Sequence, residues 1–140
     1  MVTMKRVYDP ATSDDGYRVL VERLWPRGVS KEAAHLDAWE RGIAPSDELR
    51  RWYGHDPKKW EEFQTRYEQE LTDPAAQKIL DDLAERARHG TVTLVYAARE
   101  GAISNAAVLQ RLLTVKAPGR SRGEAAVRGG GTVVADEAQR

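Results

Sequence analysis

The chain contains no cysteine among its 140 residues, and this absence excludes several kinds of site. Disulfide cross-links, thiolate zinc sites and cysteine nucleophiles all need a thiol. An excess of either charge is also missing, because 22 basic residues balance 22 acidic ones. Domains dedicated to nucleic acid usually carry surplus Lys and Arg, so a nucleic-acid partner is disfavoured, although it stays open.

Long apolar runs and familiar catalytic motifs are missing as well. No apolar run approaches the roughly 20 residues that cross a bilayer, and residues 1–10 lack the apolar stretch of a secretory signal. We therefore expect a cytoplasmic protein without a membrane partner. The motifs GxxxxGK[ST] and GxGxxG do not occur, and the three histidines lack metal-ligand spacing. We assign no metal and no cofactor.

The composition that remains is that of one folded domain. Hydrophobic residues make up 41% of the chain and charged residues 31%, which suits a globular protein of this length. From residue 117 onward glycine becomes frequent and aromatic residues disappear. The sequence predicts a single α/β domain over residues 1–116 and a flexible C-terminal tail over residues 117–140.

Three segments have the composition of β-strands. Residues 5–8 and 17–24 are rich in β-branched and aromatic side chains, and the turn-forming segment 9–16 joins them. Because that segment is too short for a helical crossover, these two strands are predicted to pair antiparallel. Residues 91–98 are apolar on both faces, which predicts a central strand parallel to residues 17–24. Residues 36–44 fit either an edge strand or an irregular helix.

Helix starts are marked by capping residues. Asp56 and Asp73 each precede a proline, and a helix is also predicted to begin near Ser46 and another from Ser104. The predicted fold class is therefore α/β, with a small, mostly parallel sheet, an N-terminal antiparallel strand pair and helices packed on the sheet.

Cationic residues follow two of the predicted strands. In open α/β sheets ligands bind beyond the carboxyl ends of parallel strands, and a helix N-terminus there adds backbone amides that favour an anion. We therefore hypothesise a site for a small ligand that bears a phosphate or carboxylate. Its candidate residues are Arg23, Trp25, Arg27, Lys31, His55, Tyr96, Arg99, Ser104 and Asn105.

Each candidate also has a purely structural interpretation. The arginines could pair with Glu22, Glu100 or carbonyl groups, and Trp25 could plug the end of the sheet rather than stack on a ligand. His55 could be a general base or simply part of a capping loop. An alternative function is a protein- or nucleic-acid-interaction module without catalysis. No catalytic residue is assigned, and whether the chain is an enzyme stays open.

Several segments resemble a known family. They read KRVYDP at residues 5–10, GYRVLVERLWPRG at 16–28, APSDELR at 44–50, GHD at 54–56 and LVYAA at 94–98. Together they resemble the YeaO-like branch of the DUF488 family, which implies a small bacterial cytoplasmic α/β protein over about residues 4–115. The chain departs from that pattern where the family often has Asp at Glu22 and Asn-His at Ser104 and Asn105. Wider relatives also carry a cysteine after the last strand, so neither histidine nor cysteine chemistry is carried over.

Overall fold

The computed structural model describes residues 1–117 and is built around a sheet of four parallel strands. These are β1 (Val2–Arg6), β2 (Tyr17–Leu20), β3 (Ala38–Trp39) and β4 (Val92–Tyr96), in the spatial order β1-β4-β2-β3. The predicted α/β class and the parallel pairing of β2 with the central strand are confirmed.

The predicted antiparallel pair of N-terminal strands is wrong. β4 lies between β1 and β2, and both pair with it in parallel, Met4 opposite Leu94 and Val19 opposite Leu94. The connection between β1 and β2 therefore runs back along the sheet without a full helix, containing only the 3₁₀ turn Ser13–Asp15. Because β1 and β2 are only five and four residues long, an extended chain of about 3.3 Å per residue covers that return easily.

Helices cover the sheet, and their starts follow the capping residues in the sequence. They are α1 (Lys31–Ala34), α2 (Asp47–Tyr53), α3 (Trp60–Glu70), α4 (Pro74–His89) and α5 (Asn105–Lys116). Side chains of Ser46, Asp73 and Ser104 cap α2, α4 and α5 as predicted. Asp56 caps a 3₁₀ turn, Pro57–Lys59, that leads into α3. The short α1 was not predicted, and the ambiguous segment 36–44 forms β3 and the 3₁₀ turn Arg41–Ile43.

The strands alternate their side chains between two apolar layers. Val19, Val21 and Leu94 are fully buried in the larger layer, against the longer helices. Leu20 and Val95 are buried in a smaller layer on the opposite face, with Ala34 of α1. Burial on both faces explains why β2 and β4 are apolar at successive positions.

A cluster of charged side chains lies at the N-terminal end of β2. The Asp15 carboxylate accepts hydrogen bonds from Lys5 Nζ at 2.8 Å and from Arg18 Nη1 at 2.6 Å, and the Arg18 side chain is only 5% exposed. Arg18 also donates to the carbonyls of Ala34 and His35. Burial alone would raise the pKa of Asp15, but hydrogen bonds from Lys5, Thr12 and Arg18 hold that pKa well below its usual range.

The boundary predicted between domain and tail lies after residue 116, where α5 ends. Ala117, the first residue of the predicted tail, is 6% exposed and packs against the core at the end of α5. Residues 118–140 lie outside the described residues, so the tail stays a prediction. Over residues 1–117, none of the helices combines the length and apolar character that spanning a membrane requires.

Candidate functional site

A cavity of about 170 Å³ opens beyond the carboxyl ends of β2 and β4. We name it the arginine cavity. The residues after β2 and β4 form one side, and α2, α3 and the start of α5 form the other. Its lining residues are Glu22, Arg23, Pro45, Arg50, Tyr53, His55, Phe63, Ala97, Ala98 and Asn105.

The two charged residues that follow β2 are held by backbone groups. Glu22 Oε2 accepts a hydrogen bond of 2.9 Å from the Ala97 amide, which ties the end of β2 to the end of β4. Arg23 donates from Nε to the Pro45 carbonyl at 2.9 Å and from Nη2 to the Ala44 carbonyl at 3.2 Å. Both side chains are thereby fixed in orientation at the cavity wall.

Helix α2 supplies a second arginine and a tyrosine. Arg50 and Tyr53 are three residues apart, so they share one face of the helix. Arg50 Nε is buried and has no hydrogen-bond partner among residues 1–117. Its Nη2 lies 3.4 Å from the exposed carboxylate of Asp47. A buried guanidinium N–H without an acceptor is unfavourable.

His55 reaches the cavity because the chain turns sharply after α2. Gly54 ends the helix with φ 54°, and His55 follows with φ 57°, a left-handed conformation that few residues other than glycine adopt. The imidazole ring then lies 5.8 Å from the ring of Tyr53, which stacks on Phe63 at 4.2 Å. Left-handed backbone at a non-glycine residue is frequent at functional sites.

The electrostatic balance of the cavity depends on Glu22. Burial raises the pKa of its carboxyl above the ordinary value, and the Ala97 amide, His55 and Arg50 offset this only in part. Burial also raises the pKa of Tyr53, so its hydroxyl stays protonated and donates to the Ile103 carbonyl at 2.7 Å. Over residues 1–117, no group of His, Asp and Glu is arranged to hold a metal ion.

The start of α5 contributes an amide side chain to the same cavity. Asn105 is the first residue of the helix, and its Nδ2 donates to the Val21 carbonyl at 2.8 Å. The N-terminal end of a 12-residue helix adds a partial positive charge at this wall.

A larger cavity, of about 470 Å³, adjoins the first one. We name it the outer cavity. It shares His55, Ala97 and Ala98 with the arginine cavity, so these three residues form the boundary between them. Pro57, Arg99, Glu100 and Ile103 complete its lining.

Four of the nine candidate residues from the sequence lie at these two cavities. Arg23, His55 and Asn105 line the arginine cavity, and Arg99 lines the outer one. The residues directly after β2 and β4 therefore meet at one edge of the sheet, but the LWPRG segment at residues 24–28, which was expected there too, lines neither cavity.

The other five candidate residues lie elsewhere. Trp25 and Lys31 line a shallow pocket beside β3, and Trp25 packs in the smaller layer because the chain crosses to that face after Leu24. There its indole donates to the Val29 carbonyl at 2.6 Å and its ring meets Trp39 edge to face. The structural interpretation of Trp25 is therefore favoured.

Of the remaining three, Arg27 is exposed and lines neither cavity. Ser104 is 1% exposed, and its Oγ donates to the Gly101 carbonyl at 2.7 Å. Tyr96 is buried, and a Cβ placed at Gly101 would lie 2.3 Å from its hydroxyl. Close packing therefore holds Tyr96 and Ser104 inside the fold.

Sequence reasoning missed seven of the ten residues that line the arginine cavity, and three of the seven carry polar groups. Glu22 was considered only as an ion-pair partner of arginines, and Arg50 and Tyr53 were considered only as parts of a short helix. The signal that could have found the last two is their shared helix face. A basic and an aromatic side chain at that spacing, just before Gly54, indicate a face that is not purely apolar.

These features define a class of protein: a small parallel α/β sheet with a polar cavity beyond its carboxyl edge. Within that class, the chain belongs to the family described as the inactive DUF488-N3 subclade, whose model matches residues 1–127. The resemblance to the YeaO-like DUF488 proteins is thereby confirmed.

Curated relatives cover most of the chain. It is 46% identical over 112 residues to the uncharacterized protein Rv3073c of Mycobacterium tuberculosis strain H37Rv, a match that covers 80% of this chain and 92% of that protein. It is 40% identical over 109 residues to the uncharacterized protein YeaO of Escherichia coli strain K12, covering 77% and 92%. No solved structure matches the chain.

Proposed function

We propose that the protein binds a small ligand bearing a carboxylate or phosphate in the arginine cavity, without catalysing its conversion. The observation that carries this proposal is the convergence of Arg23, Arg50 and His55 on one cavity beyond the carboxyl ends of β2 and β4. An anion would form charge-assisted hydrogen bonds with the guanidinium groups that line it.

The arrangement of charge supports an anion rather than a cation. Two guanidinium groups and an imidazole line the cavity, against the single carboxyl of Glu22. Burial raises the pKa of Glu22, so a negative charge on its carboxyl is disfavoured in the cavity. The partial positive charge at the N-terminal end of α5, which begins at Asn105, also favours an anion.

A binding role without catalysis has its own support. The family is described as inactive, and the chain offers no thiol for nucleophilic chemistry. Arg23, which binds two loop carbonyls, is well suited to hold the wall of a cavity.

The alternative of an interaction module has less support. It would use Trp25 and the cations of that loop as an exposed surface, but the indole N–H of Trp25 is engaged with Val29 and its ring with Trp39. The cavity arginines also line a concave site, as ligand pockets do, rather than an open surface.

The test is an NMR titration with acetate and with inorganic phosphate. We expect amide shifts at Arg50, His55 and Ala97, and we expect Arg50→Gln to weaken binding by about tenfold or more, as for loss of a hydrogen bond to a charged group. Arg51→Gln is the matched control, because Arg51 is the exposed neighbour on the same helix and lines neither cavity. Failure of both anions to bind, or equal binding by Arg50→Gln, would contradict the proposal.

A further inference from the structure

Glu22 carries the only carboxyl among the ten residues that line the arginine cavity. The residue is held at both its main chain and its side chain. Its main-chain carbonyl accepts a hydrogen bond of 2.6 Å from the Trp39 indole, and Oε2 accepts one of 2.9 Å from the Ala97 amide. The other carboxyl oxygen, Oε1, accepts no hydrogen bond from residues 1–117. The carboxyl is therefore fixed at the cavity wall with one oxygen still available.

Basic side chains share the cavity with Glu22, yet none of them forms an ion pair with its carboxyl among residues 1–117. Arg23 donates to two loop carbonyls, and the guanidinium of Arg50 lies 3.4 Å from the carboxylate of Asp47. A negative charge on Glu22 is therefore offset by one backbone amide and, from further away, by His55 and Arg50.

The other polar groups that face Glu22 are uncharged and already hydrogen-bonded. The hydroxyls of Tyr53 on α2 and Tyr67 on α3 donate to main-chain carbonyls. Burial raises the pKa of both tyrosines, so their hydroxyls stay protonated. At the start of α5, the Asn105 amide donates to the main-chain carbonyl that precedes Glu22. The titratable groups left at the cavity are the Glu22 carboxyl and the His55 imidazole.

Resting on the proposed function, we propose that an anion enters the arginine cavity together with a proton from solvent, which Glu22 takes up on Oε1. The cavity has a volume of about 170 Å³, so an anion inside it lies within the roughly 10 Å over which charges interact at moderate salt. A second negative charge at that distance favours the neutral form of the carboxyl. Protonated Oε1 then donates a hydrogen bond to the anion while Oε2 keeps its bond from the Ala97 amide.

This coupling gives anion binding a defined pH dependence. Burial raises the pKa of Glu22 above its ordinary value of 4.5, and a bound anion raises that pKa further. Between the pKa of the free state and that of the bound state, the bound state holds more protons, so affinity falls as pH rises. For one proton the fall is at most about tenfold per pH unit. Below this interval Glu22 is neutral in both states, and affinity no longer depends on its proton.

The first experiment needs no variant. NMR follows the side-chain carboxyl carbon of Glu22 in the wild-type chain between pH 8 and pH 5, without formate and with saturating formate. Formate is the probe because it remains an anion across this range. We expect formate to raise the titration midpoint of Glu22 by about one pH unit or more, and calorimetry to show affinity about tenfold or more higher at pH 5 than at pH 8.

Glu22→Gln tests whether this carboxyl takes the proton. The variant keeps an oxygen for the Ala97 amide and carries no charge. It should therefore bind formate with similar affinity at pH 5 and pH 8, and about tenfold or more tightly than the wild-type chain at pH 8. Glu48→Gln is the matched control, because Glu48 is exposed on α2 and lines neither cavity, and it should keep the wild-type pH dependence.

His55→Asn tests the other titratable group of the cavity. Asparagine tolerates the left-handed backbone of this position, where φ is 57°. Formate should still raise the titration midpoint of Glu22 in this variant. His35→Asn is the matched control, because His35 has a similar φ of 49° but is exposed and lines neither cavity.

The outcomes separate this inference from the proposed function. If formate binds with dependence on Arg50 but leaves the titration midpoint of Glu22 unchanged, the proton inference is wrong and the anion site stands. If the pH dependence of affinity persists in Glu22→Gln and is lost in His55→Asn, the imidazole takes the proton and the assignment to Glu22 is wrong. If formate does not bind at any pH in the range, both proposals are wrong.

Discussion

Two charged clusters lie in space at the two ends of strand β2, and they differ in how completely their polar groups are paired. Before the strand, Asp15 accepts from Lys5 and Arg18 at 2.8 and 2.6 Å, and Arg18 donates further to two carbonyls. After the strand, Arg50 keeps a buried Nε without an acceptor among residues 1–117, beside a Glu22 carboxyl whose pKa burial raises.

The difference teaches where pairing stabilises the fold and where buried polar groups are left incompletely paired. A fully paired buried cluster orders the chain, and removal of one member leaves an uncompensated charge. An incompletely paired cluster in a cavity contributes little to stability and leaves hydrogen-bonding capacity for another molecule. The predictions below test this contrast by changing one cluster at a time.

The largest expected effect is at Asp15. Asp15→Asn removes the carboxylate that pairs the buried Arg18, so we expect a loss of about 3–5 kcal/mol in the free energy of unfolding. Urea denaturation at pH 7 measures it. Asp14→Asn, at the exposed neighbouring position, should change stability by less than about 0.5 kcal/mol. Comparable losses in the two variants would refute the idea that pairing within the cluster stabilises the fold.

The same variant has a defined pH dependence. Because the pKa of Asp15 is lowered in the folded state, its stabilising contribution is present above its ordinary pKa of 3.8 and is lost as pH falls through the folded pKa. The stability difference between wild type and Asp15→Asn should therefore be largest near neutral pH and shrink on acidification. A difference that is independent of pH would argue against this linkage.

The next effect is at the glycine beside that cluster. Gly16 has φ 63°, and a Cβ there would lie 2.3 Å from the Thr91 carbonyl oxygen, so Gly16→Ala should cost about 3 kcal/mol from strain and collision. Gly28 has φ 77° but open space around it, so Gly28→Ala should cost only about 1 kcal/mol. Thermal unfolding of both variants compares collision plus strain with strain alone.

A smaller effect of opposite sign is expected at Glu22. Because burial raises its folded pKa, the folded state binds this proton more readily, and the carboxyl becomes destabilising as pH rises from its ordinary pKa of 4.5 through the raised value. Glu22→Gln keeps an oxygen for the Ala97 amide and should be more stable than wild type at pH 8 but equal to it well below pH 4.5. Urea denaturation across this pH range measures the difference in the free energy of unfolding. If the variant were less stable than wild type at pH 8, the Glu22 carboxyl would stabilise the fold as the paired Asp15 does.

The smallest effect on stability is expected at Arg50. Its Nε has no acceptor to lose among residues 1–117, and Asp47, its ion-pair partner, is half exposed, so Arg50→Gln should change the free energy of unfolding by less than about 0.5 kcal/mol. Differential scanning calorimetry checks this on the sample used for anion binding. A loss comparable to that of Asp15→Asn would remove the contrast between the two clusters.

Local signals in the sequence predicted most of the secondary structure. Asp73 before Pro74 fixed the start of α4, and Ser46 and Ser104 did the same for α2 and α5. The apolar run of residues 91–98 identified the central strand because burial on both faces leaves no polar alternation to interrupt it. The direction of β1 was not predictable in this way, because the strand that separates it from β2 comes some 70 residues later.

The residues of the candidate site also fall into two groups: those that chain order alone could place and those that only the packing of the fold places. Arg23, Asn105 and Arg99 could be placed near the edge of the sheet from chain order alone, because parallel strands end at the same edge. Arg50 and Tyr53 reach that edge only through the packing of α2, and Trp25 leaves it because the chain crosses to the opposite face. By itself, then, the sequence determined most of the elements, the α/β class and the family, since caps, periodicity and motifs are local. Only the tertiary structure decided which charges are paired and which line a cavity, because pairing depends on residues that are distant in the chain.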